Sequence, residues 1–297
     1  MTNTPEKPRA IDHLVLPTAD LDVARCRLSA LGFTVAPVGV HPFGTQNACI
    51  YFANGTFLEP LAVRDDAAAG EAARSGNVFV ARDAAFRLRR GEEGVSALVF
   101  ATADAERDDA EFEGQDVSAG GMLTFSRDFV DASGNADTAS FKLAFAADRR
   151  APDVFFFACQ RVNAPKVDRA ALQAHANGVA RITSIVLSAK DPTGYARIVS
   201  IAAGVPMSEP AICPIRIDAQ NAMIEIVDGP ALQQSFGLDE IDDSGLHIRA
   251  IVFGVGDLAE TGRILTKNAV GFSARQNRLI APPTAGQGAA FVFEEMS

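Results

Sequence analysis

Four segments of the chain begin in the same way, with a short apolar run, then an aspartate, then an amphipathic helix pattern. The first segment is IDHLVLPTADLDVARCRLSALGF, residues 11–33. When the third residue of each apolar run is taken as a marker, the aspartate follows seven positions later every time. The marker and aspartate pairs are His13 and Asp20, Ala97 and Asp104, Ser184 and Asp191, and Ala250 and Asp257. Aspartate at this place is a typical helix N-cap, so the sequence predicts one strand–helix unit used four times.

Strand-like segments follow each of the four helices. In the first copy they are FTVAPV, QNACIYFA and TFLEPLAV, and Asn54-Gly55 between the last two favours a tight hairpin. Each copy therefore has the pattern βαβββ, and one such unit cannot bury its sheet face alone. We predict an α+β fold in which four βαβββ modules pair into two halves, each with a curved mixed sheet around a cavity.

The boundary between the halves is predicted near residue 170. The first half, 1–170, holds modules at about 9–64 and 93–161, and the second half, 171–297, holds modules at about 180–229 and 246–296. Residues 64–94 separate the first two modules and are predicted to be partly helical. Residues 161–181, which include Pro165, link the halves.

The composition is that of a globular chain, with 48% hydrophobic and 22% charged residues in 297. The formal charge of −10 argues against nucleic acid and anionic membranes as partners, because no basic stripe is present to neutralise phosphates. The apolar runs are shorter than the ~18 residues that cross a bilayer, and MTNTPEKPRA is polar, so we expect a cytoplasmic protein. We predict that the cysteines, Cys26, Cys49, Cys159 and Cys213, are reduced core residues.

Two stretches of the first module carry a family resemblance. They are IDHLVLPTADLDVA and GVHPFGTQNACIYFANGTFLEPLAV, with the loop His41–Asn47 and the strand ending Phe57-Leu58-Glu59. Together with the four modules, they resemble the glyoxalase-like domain family of the vicinal oxygen chelate superfamily, which also includes bleomycin-resistance proteins and extradiol dioxygenases. The resemblance implies two glyoxalase-like halves and a small-molecule site formed across paired modules.

The resemblance also implies that metal ligands come from the first and last strands of paired modules. The first-strand positions of the other three modules hold no histidine; they are Ala97, Ser184 and Ala250. His13 and Glu59 are therefore the implied ligand pair. His41 is the nearby histidine that could join them. Last-strand positions elsewhere hold Phe157, Glu225 and Glu294. The implied cofactor is a divalent ion such as Zn, Fe, Mn, Ni or Co, and a site without any cofactor remains the alternative.

Each of these residues also has a simpler interpretation. His13 could be a cavity histidine hydrogen-bonded to Glu59 without metal, or a core histidine, and His41 could only hold the turn at Gly44. Arg161 stands where the family often has a histidine. It is predicted either to anchor a carboxylate or phosphate group of a bound molecule or to form an ion pair.

Two functions follow from the resemblance. The first is a metal-dependent lyase or isomerase in which Glu59 and His41 move protons on a small vicinal-oxygen substrate. The second is a non-catalytic protein that binds a small molecule, with His13, Glu59 and Arg161 as polar anchors. Extradiol ring cleavage is not expected, because His247 is three residues away from the marker Ala250. The second half could be a degenerate copy, and a homodimer is left open.

Overall fold

The computed structural model describes residues 7–130, 136–164, 168–206, 213–241, 243 and 245–296. The strands of the first sheet are β1 (Ile11–Pro17), β2 (Gly39–Val40), β3 (Thr45–Asn47), β4 (Ile50–Tyr51), β5 (Phe57–Val63), β6 (Ala97–Ala101), β7 (Leu123–Val130), β8 (Ala136–Ala147) and β9 (Phe155–Asn163). Those of the second sheet are β10 (Val179–Ser188), β11 (Ile215–Asp218), β12 (Met223–Val227), β13 (His247–Val255), β14 (Ser273–Arg275), β15 (Arg278–Ala281) and β16 (Ala290–Glu295).

The helices alternate with these strands. They are α1 (Leu21–Ala30), α2 (Asp66–Arg74), α3 (Val78–Arg90), α4 (Ala105–Gly114), α5 (Ala170–Gln173), α6 (Thr193–Ala203), α7 (Gly229–Phe236) and α8 (Leu258–Lys267). Helices α1, α4, α6 and α8 are those of the four repeated units. None of the helices in the described ranges is long and apolar enough to cross a membrane.

Both sheets have the same plan. In the first, β1 pairs antiparallel with β6, while β5 lies parallel to β1 and β9 parallel to β6. In the second, β10 pairs antiparallel with β13, β12 lies parallel to β10, and β16 lies parallel to β13. Four βαβββ modules thus pair into two halves with curved mixed sheets, as the sequence predicted. In the third module two strands follow the helix within the described residues, and residues 207–212 lie outside them.

The repeated aspartates begin the helices as expected. The side chains of Asp20, Asp104 and Asp257 accept hydrogen bonds from backbone N–H groups in the first turns of α1, α4 and α8. Asp191 does the same for Thr193 and Gly194, although Pro192 is the capping residue of α6. The Asn54-Gly55 turn joins β4 to β5 in a hairpin in which Tyr51 faces Phe57.

One core is shared by the two halves, and it lies between the sheets with the four repeated helices. Phe33 from the first half contacts Phe253 and Phe291 from the second, with ring centroids 5.3 and 5.9 Å apart. The opposite face of each sheet carries its own apolar cluster. That second face is where a cavity forms, and the two halves differ there.

Helices inserted between the paired modules explain this difference. Helices α2 and α3 cover part of the first sheet and place Phe79 against it, which confirms the helical prediction for this segment. In the second half, α7 packs Leu232 and Phe236 into the apolar cluster of the sheet. The sequence analysis did not predict α7, although Asp228 caps it and Gly237 ends it in the left-handed conformation.

The cysteine prediction is partly wrong. Cys49 and Cys159 are buried, but Cys213 is half-buried and Cys26 is exposed; all four are free thiols. Leu21, Ala24 and Leu28 form the buried face of α1, and a residue at position 26 lies on the opposite side of a helix with 3.6 residues per turn.

Candidate functional site

The open face of the first sheet forms a cavity, which we call the first-half cavity. The space between its walls amounts to about 690 Å³, a figure that includes space open to solvent. Aromatic rings form a large part of its walls, beside a cluster of polar and charged groups. It is lined by Asp12, His13, His41, Phe43, Asn47, Cys49, Tyr51, Phe57, Glu59, Phe79, Phe125, Arg127, Phe141, Leu143, Phe157, Cys159, Arg161 and Arg169.

A β-bulge brings two consecutive residues of β1 into this cavity. Ile11 pairs with Phe100 and His13 pairs with Val99, so Asp12 is an extra residue with no partner in β6. Successive residues of a regular strand point to opposite faces, whereas a bulge redirects one of them. Asp12 and His13 therefore both face the cavity, and both are buried.

His13 lies between two carboxylates. Its Nδ1 is 2.9 Å from Asp12 Oδ2, and its Nε2 is 3.3 Å from Glu59 Oε2. Burial alone would lower the pKa of His13, but the hydrogen bonds and charges of Asp12 and Glu59 raise it above the ordinary value. For Glu59 burial acts in the raising direction, yet His13, His41 and Asn47 lower its pKa to about 2. Without a bound metal ion, Asp12 and Glu59 therefore favour the protonated form of His13.

His41 occupies the opposite side of Glu59. Its Nε2 lies 3.5 Å from Glu59 Oε1, and its Nδ1 lies 2.8 Å from the hydroxyl of Thr45. The amide of Asn47 donates to Glu59 Oε1 at 2.6 Å and fixes that carboxylate. Burial lowers the pKa of His41 to about 4, with Glu59 opposing the shift and Arg127 and His13 adding to it. His41 is therefore uncharged at neutral pH.

The His41 loop also performs the simpler role considered for it. The backbone N–H of His41 donates to Thr45 across a turn in which Gly44 has a φ of 86°. A Cβ on Gly44 would lie 2.5 Å from the backbone nitrogen of Ala69, so the turn and the start of α2 require glycine here. The turn holds His41 against the cavity.

Arg161 completes the polar chain from the last strand of the second module. Its Nη2 donates to Asp12 Oδ1 at 2.6 Å, and its Cζ lies 5.9 Å from the ring centroid of Phe57. Asp12 is thus shared by His13 and Arg161, and their charges hold its pKa below the ordinary value although burial opposes this. The ring of His13 stacks on Phe57 with centroids 4.3 Å apart.

The donor atoms can be tested against the needs of a metal ion. Two ligands about 2.1 Å from one ion lie about 3.0 to 3.4 Å apart when adjacent and about 4.2 Å when opposite. The His13–Glu59 separation of 3.3 Å has this spacing, and Asp12 holds the far nitrogen of His13 as carboxylates do beside metal-bound histidines. His13 and Glu59 therefore fit as a ligand pair.

His41 does not join that pair in the present arrangement. Within the described ranges, three ligand atoms lie within 4.8 Å of one another at Asp153, Asp243 and His247, whereas the set of His13, His41 and Glu59 does not meet this spacing. Ala97 and Phe157 occupy the other two positions that the family resemblance assigns to ligands, and neither side chain can bind a metal.

The group of Asp153, Asp243 and His247 lies outside the first-half cavity and contains carboxylates that are already paired. Arg89 donates to Asp153 at 2.6 Å, and Arg90 donates to Asp243 at 3.1 Å. His247 Nε2 is 2.6 Å from Asp243. The Arg90–Asp243 pair joins the two halves, and a metal ion at this group would compete with two arginines.

The corresponding face of the second half has a similar bulge, but there α7 packs on the sheet. Thr183 is the extra residue there, between Ile182 and Ser184, and it donates to Glu294 at 2.8 Å. Glu294 is also paired with Arg278. Glu225 has the same register against β10 as Glu59 has against β1. Helix α7 fills the space that remains open in the first half.

Several cavity residues were not singled out from the sequence. Asp12 faces the cavity only because of the bulge, which leaves no clear sequence pattern. Asn47 was part of the quoted family motif. It lies two residues after Thr45 on β3, so the two side chains share a face of the strand, and this spacing could have identified it. Arg127 and Arg169 are far from His13 in sequence, and the β7–β8 hairpin and the link between the halves bring them to it.

Comparison with known proteins agrees with this architecture. Residues 11–200 match the family model described as glyoxalase-like domain, which covers more than half of the chain, and the chain belongs to this family. None of the curated proteins matches the sequence.

Among solved structures, a hypothetical protein from Staphylococcus aureus is 14% identical, with a TM-score of 0.66 over 97% of this chain and 99% of that one. A mutant of 4-hydroxymandelate synthase from Streptomyces coelicolor is 12% identical, with a TM-score of 0.62 over 98% and 93%. The Mn(II)-bound glyoxalase from Novosphingobium aromaticivorans is 11% identical, with a TM-score of 0.52 over 97% and 83%. At these identities the likeness shows a shared fold.

Proposed function

We propose that this chain is an enzyme of the glyoxalase kind, a lyase or isomerase that acts on a small molecule with two neighbouring oxygen atoms. The first-half cavity is its active site. The observation that carries the proposal is the buried His13–Glu59 pair, which lies on the first and last strands of one module and is held by Asp12 and Asn47. Burying two carboxylates beside one histidine is costly unless all three are paired, and such clusters in a cavity are candidates for function.

In this proposal His13 and Glu59 hold a divalent metal ion. An ion held there would act as a Lewis acid toward the neighbouring oxygens of the substrate. Asp12 keeps the ring of His13 oriented so that Nε2 faces Glu59, and Asn47 holds the other oxygen of the carboxylate. Because His13 must give up its Nε2 proton to bind metal, the affinity for metal rises with pH.

Glu59 and His41 are the groups that move a proton. They lie 3.5 Å apart, and of the two His41 is the stronger base, because its pKa is about 4 and that of Glu59 is about 2. His41 Nε2 is therefore the preferred proton acceptor. Phe57 and Phe157 pack on the ring of His13 and make this side of the cavity apolar.

The proposal is tested by turnover of α-ketoaldehydes and related vicinal-oxygen compounds with Zn, Mn, Ni or Fe(II) added. Replacing Glu59 with Gln or His41 with Gln should lower turnover by about 100-fold or more, the usual effect of losing a positioned acid or base. His247→Ala, outside the cavity, serves as the matched control and should keep full activity. Absence of turnover with every metal and compound would overturn the enzyme proposal.

One observation favours a second candidate, a non-catalytic binding protein. The polar groups of the cluster already satisfy one another, from Arg161 through Asp12 and His13 to Glu59 and Asn47. A cavity of this kind can hold a ligand without metal. Such a protein would be stabilised by its ligand, with a rise in Tm that depends on ligand concentration, and would show no turnover.

A further inference from the structure

Two arginines of the first-half cavity have no carboxylate partner among the residues that the structure describes. Arg127 and Arg169 both line it, and neither guanidinium forms an ion pair or a hydrogen bond with any residue that the structure describes. Arg161, the third arginine of the cavity, is paired with Asp12. The chain has 37 Asp and Glu residues against 27 Lys and Arg residues, so a shortage of carboxylates does not explain why these two arginines have no carboxylate partner within the described ranges.

Each of the two guanidiniums is oriented by an aromatic ring. Arg127 lies on β7 with its Cζ 6.0 Å from the ring centroid of Phe141, and Arg169 precedes α5 with its Cζ 4.6 Å from that of Tyr51. Such contacts position a cation without neutralising its charge. The N–H groups of both arginines thus remain available for hydrogen bonds.

Gly39 leaves room for the guanidinium of Arg127. A Cβ on Gly39 would lie 2.5 Å from Arg127 Nη1, so any larger residue at this position would displace the guanidinium from its place beside the His41 loop.

A planar guanidinium matches a carboxylate or a phosphate group and binds it through paired N–H donors. The rest of the wall is aromatic and suits a flat apolar body. Phe125 stacks on Phe141 with ring centroids 5.1 Å apart, and Phe157 meets the ring of His13 edge-on.

We propose that the ligand of the first-half cavity is a small organic acid, whose anionic group binds Arg127 and Arg169 and whose apolar body lies among the phenylalanine rings. This inference rests on the proposed function only in taking this cavity as the site. It does not require a metal ion or a reaction. It names the chemical class of the ligand as an anion joined to an aromatic or similarly apolar group.

Binding of three matched probes tests the proposal. They are 3-phenylpropionate, benzyl phosphate and the uncharged 3-phenylpropanol, measured by calorimetry on the full chain, with and without EDTA so that binding through a metal ion is recognised. At least one of the two anions should bind about tenfold more tightly than the alcohol, as charge-assisted hydrogen bonds imply. The anion that binds more tightly identifies the head group as carboxylate or phosphate.

Substitutions of Arg127 and Arg169 test whether these two residues bind the anionic group. Arg127→Gln and Arg169→Gln should each weaken binding of the anion about tenfold and leave binding of the alcohol unchanged. Arg127→Lys and Arg169→Lys should recover part of the loss, because charge remains while the paired donors are lost. Arg263→Gln is the matched control, an exposed arginine of α8 paired with Glu260, and should bind like the parent.

Equal affinity for the acids and the alcohol, unchanged affinity in both Arg→Gln variants, or no binding of any probe up to about 10 mM would overturn the inference. These outcomes are separate from those that test the enzyme proposal. Anion binding without turnover would leave the inference standing and remove the enzyme, while turnover of an uncharged substrate with no preference for anions would do the reverse.

Discussion

Asp12 and His13 are consecutive residues of β1, yet both side chains face the first-half cavity, with Asp12 Oδ2 2.9 Å from His13 Nδ1. The β-bulge at Asp12 makes this contact possible. Asp12 also accepts a hydrogen bond from Arg161. The Asp12–His13 contact therefore connects Arg161, on one side of the cavity, to Glu59 on the other, and it fixes the orientation of the imidazole between them.

The first prediction concerns this contact. Asp12→Asn keeps the size of the side chain and removes its charge, so the hydrogen bond that orients His13 is weakened. The affinity for divalent metal should fall by 10- to 100-fold, roughly the cost of losing a carboxylate behind a histidine ligand. Calorimetric titration with Zn or Mn measures it, and Asp22→Asn, an exposed residue of α1, is the control. Equal affinity in parent and Asp12→Asn would show that the contact does not serve a metal.

The second prediction is a pH dependence of stability due to His41. Its pKa is about 4 in the folded protein and near 6.5 when unfolded. Between these values the unfolded chain binds more protons, so stability is lost as pH falls. His13, whose pKa is raised, contributes fully below 6.5 and does not change in this window.

Urea unfolding at pH 7 and pH 5 measures this effect. Between pH 7 and pH 5, the unfolding free energy of the parent should fall by about 2 kcal/mol more than that of His41→Gln. Loss of equal size in both proteins would contradict the low pKa of His41. The comparison uses each protein as its own reference, so a lower stability of the variant at pH 7 does not affect it.

The third prediction concerns the thiols. Burial raises the pKa of Cys49 to about 12 and also raises that of Cys159, whereas Cys26 is exposed. A thiol reagent at pH 8 should therefore modify Cys26 rapidly in the native protein and modify Cys49 and Cys159 much more slowly, because few of the buried thiols are ionised. Mass spectrometry of the digested protein identifies the modified sites. Rapid native labelling of Cys49 would mean that the cavity wall opens.

The fourth prediction concerns helix α7. Phe236 is 4% exposed and packs with Leu232 on the second sheet, so Phe236→Ala should lower the unfolding free energy by about 3 to 5 kcal/mol. Leu88→Ala, at a residue that is 88% exposed, is the control and should change it by less than about 0.5 kcal/mol. A small effect of Phe236→Ala would show that α7 is not part of the core of the second half.

The repeated architecture was predictable because the strand–aspartate–helix spacing is local and recurs four times. His13 and Glu59 were predictable from the family resemblance, since they occupy the first and last strands of a single module. Asp12 was not, because a bulge depends on how β1 pairs with β6. Arg127 and Arg169 were not, because their place at the cavity depends on contacts between segments more than a hundred residues from His13. The filling of the second half by α7 was missed for the same reason.

The most direct test of the central claim is the divalent metal content of the purified chain without a histidine tag, by plasma mass spectrometry. The proposal predicts about one equivalent in the parent and in His247→Ala, and almost none in His13→Ala and Glu59→Gln. Metal that is lost in His247→Ala but kept in His13→Ala would place the ion at the group of Asp153, Asp243 and His247. That result, or no metal in the parent after incubation with Zn, Mn, Ni and Fe(II), would contradict a metal site at His13 and Glu59.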